Sequence, residues 1–310
     1  MTDKPLKGIL LLAFGGADSL ESVEPFVKNV LKGRPVTPEL VAKSVERYKL
    51  IGGKSPLLDI TLAQAKGIED VLNSDPAAHY RYKAYVGMRY WHPFIADTVK
   101  KMNEDGVTEA VAVIMSPFTS RVATGAYETD VEGALRNLGN VPEVEFIGCW
   151  NIDKNFVETI AGYINKELSG LDMKDTLVIF SSHSLPIVAL QGDSYEMLVN
   201  QAADFIMEKV GKVDYKVAYQ SKGSGPREWL GPQTEDVIAQ AARSCKKAVI
   251  IVPAGFAADH VETLYDIDML FKEAAKANGV EFRRTPSLNT DPAFIRMLAG
   301  KIGLLAEKRK

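Results

Sequence analysis

Two stretches of this chain place metal-ligating and acid/base residue types where they could act together. The first, Phe180-Ser181-Ser182-His183-Ser184-Leu185-Pro186, sets one of only four histidines between hydroxyl residues. It follows the apolar, β-branched run Thr176-Leu177-Val178-Ile179-Phe180, which predicts a fully buried parallel strand ending near His183. The second stretch, residues 255–268, reads GFAADHVETLYDID. A helix that starts near Asp259 puts Glu262 and Asp266 at i and i+4 on one face, with Asp259 one turn earlier and His260 beside them. Each stretch also has a plain structural reading. Asp259-x-x-Glu262 is a capping box, and a strand-end histidine can be satisfied by neighbouring hydroxyls. Taken together, an imidazole and a carboxylate at two strand ends of one lobe form a ligand set for a borderline divalent ion such as Fe2+ or Zn2+. Two protein ligands make a weak site, and a weak site suits a metal that is handed on.

The elements that must carry these residues follow from periodicity. Short apolar runs at Gly8 to Phe14, Ala84 to Met88, Ala110 to Met115 and Val144 to Gly148 are followed by four more at Leu177 to Ser182, Lys216 to Ser221, Ala248 to Ala254 and Val280 to Arg284. Amphipathic stretches separate them, so the chain predicts βαβ crossovers and an α/β fold of two similar, doubly wound, Rossmann-like lobes. Each lobe takes a four-stranded parallel sheet, over residues 1–150 and 151–310, with a cleft between the lobes. Open parallel sheets bind ligands beyond the carboxyl ends of their strands. Those ends are AFGGADS (13–19), GMRYWHP (87–93), MSPFTSR (115–121), SSHSLP (181–186), YQSKGSGP (219–226) and PAGFAADH (253–260). Gly15-Gly16 fits neither the dinucleotide fingerprint nor a P-loop. SSHSLP is not a nucleophile elbow. What remains is a cleft for something flat or apolar with a few polar handles.

Composition narrows the classes. The chain has 310 residues, of which 46% are hydrophobic and 25% charged, with a net charge of −3. That balance argues against nucleic acid as the main partner, and no apolar run approaches the ~20 residues of a membrane span. A monomeric cytoplasmic protein is expected, with peripheral membrane contact still compatible. The two cysteines, Cys149 and Cys245, lack CxxC spacing, which predicts two reduced thiols rather than a metal or redox site. Between Lys32 and Lys54, the cations Lys32, Arg34, Lys43, Arg47, Lys49 and Lys54 face only Glu39 and Glu46. This run reads either as a solvated helix face or as an anion-facing rim leading into Gly52-Gly53-Lys54-Ser55.

The chain resembles the ferrochelatase family, enzymes that insert ferrous iron into a porphyrin at the end of heme synthesis. The resemblance is carried in family order by GILLLAFGGADSLESVEPFVKNVL, YKLIGGKSPL, GMRYWHPF, FSSHSLP, YQSKGSGPREWLGPQTEDV, PAGFAADHVETLYDID and SLNTDPAF. It implies that His183 is the active-site histidine, as metal ligand or as acceptor of pyrrole protons, with Glu262 facing it. It assigns Asp259, His260 and Asp266 to metal delivery or proton exit. It further implies that Phe256 and Trp229 line the porphyrin pocket, that Phe14, Tyr48, Ser55 and Tyr127 lie in segments contacting the macrocycle or its propionates, and that Arg34 and Arg47 belong to a propionate rim.

Three positions depart from relatives that use coproporphyrin. Phe14 stands where those have tyrosine, Leu31 where they tend to have arginine, and Leu270 where a carboxylate is common one turn after Asp266. The first two favour protoporphyrin IX, with coproporphyrin III as the alternative substrate. Iron is expected as substrate, with no permanently bound cofactor, since two cysteines cannot supply the four thiolates of a [2Fe–2S] cluster. An anaerobic cobaltochelatase and a non-catalytic tetrapyrrole carrier are the remaining alternatives.

Overall fold

A computed structural model describes residues 4–138, 142–223 and 226–307. Ser224 and Gly225 of the YQSKGSGP segment lie outside the described residues. Eight strands form where the apolar runs predict them: β1 Leu6–Ala13, β2 Arg81–Met88, β3 Glu109–Ile114, β4 Glu143–Ile147, β5 Thr176–His183, β6 Asp214–Gln220, β7 Ala248–Val252 and β8 Glu281–Arg284. They make two all-parallel four-stranded sheets, ordered β2-β1-β3-β4 and β6-β5-β7-β8. The same winding is thus used twice.

The helices are α1 Val23–Val30, α2 Pro38–Leu50, α3 Leu57–Asn73, α4 Ile95–Glu104, α5 Gly125–Leu135, α6 Lys154–Glu167, α7 Tyr195–Val210, α8 Thr234–Arg243, α9 Lys272–Ala277 and α10 Pro292–Glu307. Local chemistry starts and stops them. Thr37 caps α2 by accepting from the Leu40 N–H, with Pro38 in the first turn, and Asp153 caps α6 through Asn155; both remove an orphan amide from the helix start. Central strands β1, β5 and β7 are buried almost throughout, as strands covered on both faces must be, whereas the edge strands β4 and β8 are half-exposed.

Contacts divide the chain into two compact units. The first comprises Met1–Ser116, Ala123–Cys149 and Asn289–Lys310, the second Pro117–Val122 and Trp150–Leu288. This division differs from the expected 1–150 and 151–310 at Pro117–Val122, which joins the second unit, and at the end of the chain, which joins the first. Helix α10 packs on α3 of the first unit, where Gln64 donates to the Asn289 carbonyl at 2.7 Å and Ile295 sits against Gly67. The amphipathic pattern of Pro292 to Leu305 required a buried face without naming the surface that buries it. Leu298 is fully buried on α10, so Leu298→Ala is expected to lower stability by about 2 to 5 kcal/mol in urea unfolding. A change below about 0.5 kcal/mol would mean that α10 contributes no packing.

Candidate functional site

In the second unit, His183 is the last residue of β5, paired in register with Gln220 of β6. The mouth of the strand is fixed on both sides. The Tyr195 hydroxyl donates to the His183 carbonyl at 2.9 Å, and Pro186 forms a bridge with Trp229, so the chain leaving His183 is tied to residues 228–230. The neighbouring hydroxyls do not serve the imidazole. Ser181 donates to Gln220 and Ser184 to the Leu230 carbonyl. His183 Nδ1 instead lies on the Ser184 carbonyl. A carbonyl only accepts, so Nδ1 carries the hydrogen and Nε2 presents a lone pair whenever the ring is neutral.

That Nε2 faces Glu262 Oε1 at 3.6 Å. The other carboxylate oxygen, Oε2, lies 4.0 Å from His260 Nε2 and is buried without a hydrogen-bond partner. His260 Nδ1 rests on the Ala258 carbonyl, and its ring lies against Phe256 with centroids 4.8 Å apart. Burial pushes the His260 pKa below its ordinary value, against the opposing pull of Glu262. The ring is therefore neutral near neutral pH and offers a second unprotonated Nε2 toward the same carboxylate. Both imidazoles and the carboxylate converge at the carboxyl ends of β5 and β7.

The backbone carrying Glu262 is a π-helix, Glu262–Phe271, that runs into α9. An i to i+5 pattern widens the turn, and the predicted α-helical spacing gave no sign of it. The capping-box reading of Asp259 and Glu262 does not describe the result, because the Glu262 carboxylate turns to the histidines. Asp259 Oδ1 accepts from Arg284, Ser287 and Thr263. Asp266 is buried and accepts from Ser221 Oγ, a residue held at φ 57°. A non-glycine residue in that region costs about 1 to 3 kcal/mol, which the surrounding contacts must offset. Trp229 is half-buried, its ring so close to Gly223 that a Cβ there would come within 2.3 Å.

The first unit gathers a separate aromatic group. Phe14 directly follows β1 and is 43% exposed, with Tyr90 at 4.6 Å and Phe26 at 6.4 Å between ring centroids. Trp91 and Tyr48 pack on Phe26. Tyr48 and Ser55 are buried supports of the loop after β1: Ala17 N–H donates to the Tyr48 hydroxyl, and Ser55 N–H to the Ala17 carbonyl. A Cβ on Gly16 would meet Ser55 at 2.6 Å, which explains the glycine without any phosphate. Tyr127 is buried on α5, and burial raises its pKa. Arg34 is exposed between α1 and α2, and Arg47 is half-buried on α2.

Comparison with known proteins identifies the family. The family model described as Ferrochelatase matches residues 6–303. The chain belongs to the ferrochelatase family. A ferrochelatase of Herpetosiphon aurantiacus is 36% identical over 296 residues, 94% of this chain and 96% of its own. A coproporphyrin III ferrochelatase of Listeria monocytogenes is also 36% identical, over 94% and 95% of the two chains. Among solved structures, SirB from Bacillus subtilis with Fe3+ shares the fold at TM-score 0.59 and 12% identity, covering 98% of both chains. Membership makes this chain a metal chelatase of porphyrin and heme biosynthesis that uses porphyrin and iron as substrates. No helix among the described residues is long and apolar enough to cross a membrane.

Among the described residues, no group of three or more His, Cys, Asp or Glu side chains is arranged to hold a metal ion. Cys149 and Cys245 are both exposed thiols. Residues that pattern reading passed over include Gln220, Ser221, Thr263 and Arg284 in the second unit and Tyr90 and Trp91 in the first. The segments YQSKG and RYWHP pointed toward Gln220, Ser221, Tyr90 and Trp91, while Thr263 and Arg284 lay inside stretches read for other residues. Because Glu262 Oε2 has no hydrogen-bond partner among the described residues, Glu262→Gln is expected to change stability by less than about 1 kcal/mol in urea unfolding. Asp259→Ala, which breaks a part-buried ion pair, is expected to cost on the order of 3 kcal/mol. Equal losses would return Glu262 to a capping role.

Proposed function

We propose that the chain inserts ferrous iron into protoporphyrin IX with release of the two pyrrole protons, and that His183 and Glu262 carry the step. The observation that carries this reading is the approach of His183 Nε2 and Glu262 Oε1 to 3.6 Å, with no hydrogen-bond partner on Glu262 Oε2 among the described residues. Two first-row metal bonds of about 2.1 Å together exceed that separation, so one ion can touch both atoms. The remaining coordination of such an ion is left to water and to incoming pyrrole nitrogens. The same atoms can instead accept the pyrrole protons, whose removal must accompany metal entry. Either way a cation placed between them replaces a lone-pair repulsion with two attractions. A pair that binds weakly lets the ion pass on, since tight binding of the ground state would only raise the barrier to transfer.

The choice of porphyrin rests on the first unit. Coproporphyrin III carries four propionates and protoporphyrin IX two, so the former needs more cations and the latter more apolar wall. Phe14 and Leu31 supply hydrophobes at positions that would otherwise be polar. A cation at the Phe14 ring group, Arg89, is already engaged, paired with Asp130 at 2.8 Å and stacked 4.8 Å from the Tyr90 ring centre. An unpaired buried propionate would cost on the order of several kcal/mol.

His183→Ala is expected to abolish iron insertion, read from the Soret band, while porphyrin affinity by fluorescence quenching stays within about tenfold. Retained turnover above a few per cent of the parent would remove His183 from the reaction. With porphyrins compared in matched detergent and salt, kcat/KM is expected to be higher for protoporphyrin IX. A preference of about tenfold or more for coproporphyrin III would reverse the substrate assignment. The same assay with cobalt and sirohydrochlorin separates a cobaltochelatase from an iron enzyme, and absence of any insertion would leave a tetrapyrrole carrier.

A further inference from the structure

Among the described residues, Glu262 Oε2 has no hydrogen-bond partner, and Oε1 faces His183 at 3.6 Å. The backbone beneath the side chain therefore matters for its position. On one side, the buried Gln220 side chain, anchored by Ser181 at 2.6 Å, reaches the Glu262 carbonyl at 3.5 Å. That contact lies at the limit of a hydrogen bond. The other side is held far more firmly. Arg284, at the end of β8, sends both terminal nitrogens to Asp259 Oδ1 at 2.8 and 3.1 Å, and its Nε to Asp268 Oδ1 at 3.0 Å. Asp259 lies before Glu262 and Asp268 after it, so one planar guanidinium spans the start of the π-helix. Ser287 donates to the same Asp259 oxygen at 2.7 Å. Thr263 joins it at 3.0 Å while accepting from the His260 N–H.

We propose that Arg284 is the positioning residue that sets Glu262 against His183, through a clamp on Asp259 and Asp268. Asp259 then serves as an anchor, its charge spent on Arg284, rather than as a relay for metal or protons. The inference rests on Glu262 acting in insertion as proposed above. Two features favour positioning over bulk stability. Desolvation offsets much of the attraction in this part-buried ion pair, so its net worth to stability is small even though removing one partner is costly. Displacement of a reacting group by about 1 Å costs on the order of a hundredfold in rate, so an unbonded carboxylate needs its backbone fixed. Lysine keeps the charge but, as a single point donor group, lacks the fork that joins two carboxylates.

The test compares parent, Arg284→Lys, Asp268→Asn and Glu262→Gln for ferrous iron insertion into porphyrin, with the folded fraction taken from thermal unfolding. Arg284→Lys is expected to lower kcat per folded molecule by about tenfold or more, with KM for porphyrin within about threefold. Asp268→Asn removes one arm of the clamp, keeps Arg284 on Asp259, and serves if Arg284→Lys does not fold; it is expected to lose at least about threefold in kcat. A merely structural clamp would lower the unfolding temperature and leave kcat per folded molecule unchanged. If Glu262→Gln loses more than about tenfold while the clamp variants stay within twofold of the parent, the inference is overturned and Glu262 is positioned by other means. If Glu262→Gln itself stays within twofold, the reading of Glu262 fails first and takes the clamp's role with it.

Discussion

Two electron-rich atoms, an imidazole nitrogen and a carboxylate oxygen, face each other at 3.6 Å at the mouth of the second sheet. When the imidazole is neutral this arrangement is unfavourable on its own, and only a cation, proton or metal, makes it attractive. Keeping it in place therefore falls to the surrounding fold. Strand pairing with Gln220, the Tyr195 hydroxyl and the Pro186–Trp229 bridge fix the histidine. The π-helix and the groups on Asp259, Asp266 and Asp268 fix the backbone of the carboxylate. A hydrogen-bond donor placed on Glu262 would satisfy the carboxylate and weaken its demand for a cation. Its absence leaves the charge available.

The chemistry proposed for this pair explains why the site is sparse. A hydrated divalent ion must lose water and the porphyrin must lose two protons before four pyrrole nitrogens can close on the metal. A full set of protein ligands would compete with the macrocycle and hold the ion. A ligand at the end of a rigid strand and another at the start of the π-helix would orient the ion, and the His260 imidazole, whose pKa burial lowers, lies beside the carboxylate. Proximity in a partly desolvated pocket supplies the advantage, without any resident cofactor being invoked.

Much of this was legible in the chain. The central strands β1, β5 and β7 were the plainest in the chain, because strands buried on both faces leave a compositional mark that loops and helices do not imitate, whereas the half-exposed edge strands β4 and β8 followed from weaker runs. His183 was placed at a strand end for the same reason. The capping-box alternative at Asp259 failed because its outcome depended on Arg284, a strand residue far along the chain whose approach no local pattern records. The π-helix was illegible because carboxylates at i and i+4 fit an α-turn and a π-turn almost equally well. Tyr48 and Ser55 were recognised as belonging to a functional segment, but their burial beneath the Ala17 loop depends on tertiary contacts. The return of α10 to the first unit was hidden likewise, since an amphipathic face shows that it is buried and not against what.

The central claim is that His183 and Glu262 act as one unit on the entering cation. The most direct measurement is the single-turnover rate of porphyrin metallation under anaerobic conditions for the parent, His183→Ala, Glu262→Gln and the double variant. Groups that share one cation lose their joint effect when either is removed. The account predicts that the double variant is no slower, within about threefold, than the slower single variant. A double variant whose loss equals the product of the two single losses would contradict it, because the two residues would then be acting on separate steps.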